Sequence, residues 1–210
     1  MKELYIFDFD GTLIDSYRDS IKYFNITLRQ FDLPTFDVEL EGLDYQVFRE
    51  FLHSQVEGME EEFMKQFTLN YKDSPQHNTF LYDGVLEVLD TLQKNGISLA
   101  ICSNRDEENL KEMVDEFFTG VEFKHVSGER DGLPNKPDPY RLNQIIRDEG
   151  ISKDKVLYFG DKSADIEAAK ACGIDMVLVS YGQGNSQAYS DGYPLKVIDT
   201  ACEILDFMSL

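Results

Sequence analysis

The sequence predicts an α/β fold: a doubly wound parallel sheet, interrupted once by an inserted helical module. Three observations predict it. Short apolar runs rich in β-formers recur along the chain, helix-period segments lie between them, and the interval from about Asp15 to Leu81 has helical period and no convincing strand. Strand, helix, strand implies parallel pairing. Runs that are apolar throughout fit strands covered on both faces, with right-handed crossovers between them. In such a sheet ligands sit at the C-terminal ends of the strands.

The first run, LYIF at 4–7, is strand-sized and leads directly into Asp8 and Asp10. In the interval that follows, SYRDSIKYFNITLRQF, LDYQVFREFLHSQV and EEEFMKQFTLNYK each read as an amphipathic helix, joined by polar or glycine-containing links. VLEVLDTLQKNG then places Val85, Leu86, Leu89 and Leu92 on one helix face, with Gly96 as the C-terminal stop. Strands are expected at ISLAIC (97–102), VEFKHV (121–126), KVLYF (155–159) and MVLVS (176–180). GQGNSQAYSDGYP at 182–194 reads as a polar surface loop before a short strand, LKVI, and a closing helix. There are no internal repeats. The expected organisation is a core domain of residues 1–14 and 82–210 and an inserted helical domain of residues 15–81.

With 210 residues, 42% of them apolar, the chain is long enough for one good core and a small accessory domain. Its 40 Asp and Glu against 20 Lys and Arg give a formal charge of −20, a surface that repels phosphate backbones and anionic lipid. Nucleic-acid and membrane partners are not expected. No segment has the pattern of a secretory leader or the length of a membrane span. Cys102, Cys172 and Cys202 are odd in number and widely spaced, which reads as free, buried thiols in a reducing compartment; the cytoplasm is the expected location.

In a strand, residues two apart point the same way, so Leu4, Ile6, Asp8 and Asp10 would line one side, running from core to sheet edge. Two carboxylates facing each other raise a pKa or demand a cation, and oxygen-only ligands suit Mg²⁺. Gly11-Thr12 allows a tight turn whose N–H groups could approach an anion, although Asp10-Gly11 reads equally as an ordinary turn. Three further features fall at strand ends or helix starts. Ser103-Asn104 offers a hydroxyl and an amide near the helix beginning about Glu107, or a plain helix cap. Lys136 precedes a proline that can open a helix, although a lone lysine is more often solvated surface. Asp161 follows a strand, with Asp165 four residues on, or is only an N-cap.

Together, DxDGT, a serine at a strand end, Lys-Pro and GDxxxD resemble the haloacid dehalogenase superfamily. The likeness is to its small phosphatases of the phosphoglycolate phosphatase and β-phosphoglucomutase type, which have a Rossmann-like core and a helical cap. The motifs span residues 8–165. The resemblance implies that Asp8 is a nucleophile forming an aspartyl-phosphate and Asp10 the general acid and base. It implies Mg²⁺ held by the Asp8 side chain, the Asp10 carbonyl and Asp161, supported by Asp165, and phosphoryl oxygens held by Ser103, Lys136 and the backbone amides of Gly11 and Asn104.

The substrate implied is a small phosphorylated metabolite, and the assembly a monomer or homodimer. Asp10 argues against the dehalogenase and phosphonatase branches, which lack that second aspartate. Thr12 favours a phosphatase over a phosphomutase, the alternative enzyme, and the intact motif set argues against a non-catalytic binding regulator. Arg105 stands where a lysine is common, and Tyr82-Asp83-Gly84 where Pro-Gly is usual; neither departure is expected to touch the chemistry. Gly42, Arg49 and His53 are candidate substrate contacts, although for Arg49 and His53 a solvated helix face is the better reading. His77 and His125 read as structural.

Overall fold

The computed structural model describes residues 1–38, 45–72 and 74–210. The chain divides into two compact units, residues 1–15 with 80–210, and residues 16–79.

The larger unit is built on a six-stranded parallel sheet: β1 (Leu4–Phe7), β4 (Ser98–Asp106), β5 (Phe123–Glu129), β6 (Val156–Gly160), β7 (Asp175–Val179) and β8 (Val197–Ile198), in the order β5-β4-β1-β6-β7-β8. β1 lies centrally between β4 and β6, with Leu4 opposite Ser98 on one side and Val156 on the other. The chain first builds outward from β1 through β4 to β5, then returns to the opposite side of β1. That reversal is the switch point at which such sheets open a crevice. A two-stranded antiparallel ribbon, β2 (Ile14–Asp15) with β3 (Phe80–Leu81), closes the points where the chain leaves and re-enters this unit.

The period-2 alternation of each strand divides the sheet into two cores. Tyr5, Phe7, Leu99, Ile101, Leu157, Phe159, Val177 and Val179 point to one face. There they meet α4 (Val85–Lys94), α5 (Glu107–Phe117) and the C-terminal 3₁₀ segment Ala201–Ser209. Leu4, Ile6, Ala100, Cys102, Val156, Tyr158, Met176 and Leu178 point to the other, against α6 (Tyr140–Glu149) and α7 (Ser163–Cys172).

Several expectations are refined. The closing helix is 3₁₀ rather than α. In α4 the fourth core position is Val88, one turn from Val85 and Leu92, while Leu86 is exposed. Cys102 and Cys172 are buried free thiols, but Cys202 is exposed.

The smaller unit holds three helices: α1 (Tyr17–Gln30), α2 (Tyr45–Val56) and α3 (Glu60–Lys72). Their aromatic residues fill its core, with the rings of Phe24 and Phe67 stacked at 3.8 Å and Phe48 packed edge-on to Tyr17 and Phe36. Buried Asp19 on α1 accepts from the backbone N–H of Asn78 and the hydroxyl of Thr79, tying the end of this unit to its beginning. No helix among the described residues is long and apolar enough to cross a membrane.

Phe159 is fully buried and stacks on Phe7 at 5.0 Å in the middle of the first core. Phe159→Ala should therefore cost about 3–5 kcal/mol by deleting a ring from close-packed surroundings. Denaturant unfolding checks this, and a loss below about 1 kcal/mol would contradict it.

Candidate active site

Asp8 and Asp161 directly follow the C-terminal ends of β1 and β6, and Ser103 lies in the C-terminal half of the neighbouring β4. Apolar residues carry each strand through the core, and the polar residue falls where the strand meets the crevice. The N–H of Asp8 donates to the carbonyl of Phe159 at 2.8 Å, continuing the β1–β6 ladder one residue beyond the strand and fixing where the carboxylate emerges.

Lys136 comes from the loop before α6, is 6% exposed, and places its ammonium among buried partners. It lies 2.7 Å from Asp8 Oδ1, 2.7 Å from Asp165 Oδ1 and 3.0 Å from the hydroxyl of Tyr158. Asp165, on the first turn of α7, also accepts from Tyr158 at 2.6 Å and from the backbone N–H groups of Asp161 and Lys162.

This division of partners separates the acids. Burial, with the charge of Asp165 added, pushes Asp8 up to about 6, against the pull of Lys136. Burial likewise raises Asp161 to about 7. For Asp165 burial acts upward too, but the ion pair and hydrogen bond with Lys136 outweigh it and hold the carboxyl below its ordinary value. The ammonium is held above its usual range, because Asp165 and Asp8 overcome the desolvation that would lower it.

Asp10 behaves differently from the expectation that the two carboxylates face each other. Strand β1 ends at Phe7, and beyond it Asp10 enters the turn closed by Ile14. Its carboxylate is held by the guanidinium of Arg105, with Nε at 3.0 Å from Oδ2 and Nη2 at 2.5 Å from Oδ1. Arg105 is itself 7% exposed, bonded to Asn109 Oδ1 at 2.7 Å and set over the ring of Phe9. A residue expected to leave the chemistry untouched thus grips the second aspartate of the motif. The side chains that gather with Asp8 are those of Asp161 and Asp165, not Asp10.

The residues expected to hold phosphoryl oxygens also stand differently from the expectation. Ser103 and Asn104 lie inside β4, which runs on to Asp106 with a register irregularity between Cys102 and Asp106. Ser103 is buried. The Asn104 side chain is spent on the backbone of Lys136: Oδ1 accepts its N–H and Nδ2 donates to its carbonyl, each at 2.9 Å. Asn104 therefore fastens the lysine loop to β4, leaving only its backbone amide for an anion. The Gly11 N–H, expected to do the same, instead donates to the carbonyl of Ile14 at 2.9 Å and closes the turn.

The stretch from Gly182, expected to be surface loop, begins as a cradle. Gly11 has φ +87°, and a Cβ there would lie 2.0 Å from Asp161 Oδ2. A Cβ on Gly182 would lie 2.1 Å from the Gly11 carbonyl and 2.6 Å from Asp161 Cβ, and one on Gly184 would lie 2.3 Å from the Asp161 carbonyl. Buried Gln183 between them donates its N–H to Asp161 Oδ2 at 2.6 Å. The other oxygen, Oδ1, is buried without a hydrogen-bond partner. Asp8, Asp161 and Asp165 bring one carboxylate oxygen each to within 4.8 Å of one another. An all-oxygen set with one bare, buried oxygen fits a hard divalent cation.

Three contributors were not legible from motif spacing: Tyr158, Arg105 and Gln183. Tyr158 had a signal, a hydroxyl within an otherwise apolar strand, and Gln183 had the flanking glycines. Of the candidate substrate contacts, Arg49 and His53 are exposed on α2, and Gly42 lies outside the described residues. His77 is exposed, and His125 is bonded to Glu149 at 2.8 Å.

Residues 5–179 match the family model of haloacid dehalogenase-like hydrolases. Among curated proteins, the phosphoglycolate phosphatase of Pseudomonas syringae pv. tomato is 32% identical over 95% of this chain and 77% of its own length. That of Aliivibrio fischeri is 26% identical over 99% and 97%. Among solved structures, a predicted phosphoglycolate phosphatase from Haemophilus somnus superposes with a TM-score of 0.75 at 25% identity, covering 98% of this chain and 97% of that one. A predicted phosphatase from Clostridium acetobutylicum superposes over the whole of both chains with a TM-score of 0.84, at 20% identity a likeness of fold.

The close approach at Gly182 is testable. Gly182→Ala must displace backbone at Gly11 or Asp161 and should cost about 1–3 kcal/mol. Gly192→Ala, with nothing within 4 Å of the added carbon, should stay within about 0.5 kcal/mol of wild type. Thermal melting of the pair checks the contrast, and equal midpoints would refute it.

Proposed function

Because this chain belongs to the haloacid dehalogenase-like hydrolase family and is a phosphatase of it, we propose that it hydrolyses a small phosphorylated metabolite through an aspartyl-phosphate on Asp8. The observation that carries the reading is the buried cluster of Asp8, Asp161 and Asp165 around Lys136, with one Asp161 oxygen left bare. Phosphoglycolate, which the related enzymes' names specify, heads the substrate candidates.

Asp8 attacks phosphorus; a bond from its carboxylate oxygen forms as the ester P–O bond breaks, and Asp10 gives the leaving oxygen its proton. Water then attacks the phosphoryl group, loses its proton to Asp10, and releases phosphate and free Asp8. Lys136 fixes the Asp8 oxygen it touches, so the attack comes from one defined position, and with Ser103 and the Asn104 N–H it holds the phosphoryl oxygens. Arg105 fixes where Asp10 stands between its two proton transfers. Mg²⁺ would be held by Asp8, Asp161 and Asp165 with the Asp10 carbonyl, and when bound it supplies positive charge that offsets the carboxylates and the phosphoryl oxygens. The helical unit of residues 16–79 is the proposed substrate-selecting domain.

Two measurements test this. Wild type should hydrolyse p-nitrophenyl phosphate, and phosphoglycolate faster, with turnover lost in EDTA and in Asp8→Asn; turnover of Asp8→Asn within tenfold of wild type rules out the nucleophile. The raised values of Asp8, about 6, and Asp161, about 7, mean that both hold protons near pH 6 when no metal is bound. A divalent cation must displace them, so its affinity should weaken as pH falls. Calorimetry of Mg²⁺ binding should find proton release at pH 6 and almost none at pH 9; equal release at both would refute the assignment.

A further inference from the structure

Arg141, in the first turn of α6, is 1% exposed and heads the fully buried side chains in volume. A dry guanidinium normally stands against a carboxylate, because the desolvation of a lone charge costs several kcal/mol. Arg141 has no such partner among the described residues. Nη1 donates to the backbone carbonyl of Ser103, and Nη2 donates to Asn104 Oδ1 and to Asn135 Oδ1. Nε has no hydrogen-bond partner. All its acceptors are neutral, and all belong to segments that carry the phosphoryl-holding residues.

The contact with Ser103 also sets a direction. In a trans peptide the C=O and the following N–H point to opposite sides. The Ser103–Asn104 bond is not among the cis bonds of the chain. By drawing the Ser103 carbonyl toward itself, Arg141 turns the Asn104 N–H away from it. Through Asn104 Oδ1, which also accepts the Lys136 N–H, the same guanidinium braces the lysine loop.

We propose that Arg141 is the positioning residue of the phosphoryl clamp: it fixes the Ser103–Asn104 peptide so that the Asn104 N–H is presented to the phosphoryl group, and it adds a buried positive charge behind that peptide. The inference rests on the phosphatase reading above. No carboxylate among the described residues is bonded to it, so the phosphoryl group is the charge proposed to balance it. Arg141 bonds to Ser103, Asn104 and Asn135 and acts through them.

The test compares wild type, Arg141→Gln and Arg141→Lys, with Mg²⁺ present, for kcat and KM on p-nitrophenyl phosphate, inhibition by inorganic phosphate, and thermal midpoint. Arg141→Gln should lower kcat/KM by about 10- to 100-fold, the effect of losing one preorganised donor. It should weaken phosphate inhibition at least tenfold, and Arg141→Lys, which keeps the charge but not the fork, should recover part of both. A merely structural arginine would lower the midpoint while the folded enzyme kept its phosphate inhibition; phosphate inhibition and kcat/KM within threefold of wild type in Arg141→Gln overturn the proposal. If Arg141→Gln does not fold, Arg141→Lys carries the same test, and wild-type values there overturn it. A wild type that neither hydrolyses the ester nor is bound by phosphate overturns the phosphatase reading and this inference with it, whereas an active wild type with indifferent variants overturns this inference alone.

Discussion

One buried ammonium organises the catalytic end of this sheet. In a chain of net charge −20, Asp8, Asp161 and Asp165 converge in a buried cluster, where like charges a few ångströms apart repel and burial penalises each ionised form. Lys136 makes the arrangement tenable by bonding two of the three and the Tyr158 hydroxyl that shares Asp165 with it. Without it the carboxylates would take up protons or move apart. With it, Asp165 is held below its ordinary value, whereas burial raises Asp8 and Asp161, so the three acids hold their protons differently.

Everything else in the larger unit serves to deliver that lysine and those acids to one place. The alternation of the central strands buries Phe7 and Phe159 on one face and Ile6 and Tyr158 on the other, so β1 and β6 are packed on both faces up to their last residue. β4 carries both buried Ser103 and, two residues on, the Arg105 that reaches Asp10. Asn104 and Arg141 lash the lysine loop to that strand. The glycines at 11, 182 and 184 let two loops close on Asp161 more tightly than any side chain would permit.

Three of the positive residues around the site take partners of distinct kinds. Lys136 is shared by two acids, Arg105 is committed to Asp10, and Arg141 has neutral partners only. The motif residues account for the first alone. Arg105 was visible only as an arginine in a lysine's place, and Arg141 as an unremarkable basic residue in a polar helix. Neither its spacing nor its neighbours in sequence distinguish a buried arginine from a solvated one, because burial is decided by elements far along the chain.

What the amino-acid sequence determined by itself is whatever depends on short-range pattern. Apolar runs of strand length, helix-period segments and their alternation dictate a parallel sheet, and the acid, serine and lysine motifs mark the candidate site positions along it. The tertiary structure alone decided which partner each charged group takes. Asp10 faces Arg105 rather than Asp8, the Gly11 N–H serves its own turn, and the Asn104 amide holds backbone. The physical reason is range: propensity and periodicity act over a few residues, whereas ion pairs and hydrogen bonds join positions 95, 38 and 32 residues apart, brought together only when the sheet has formed.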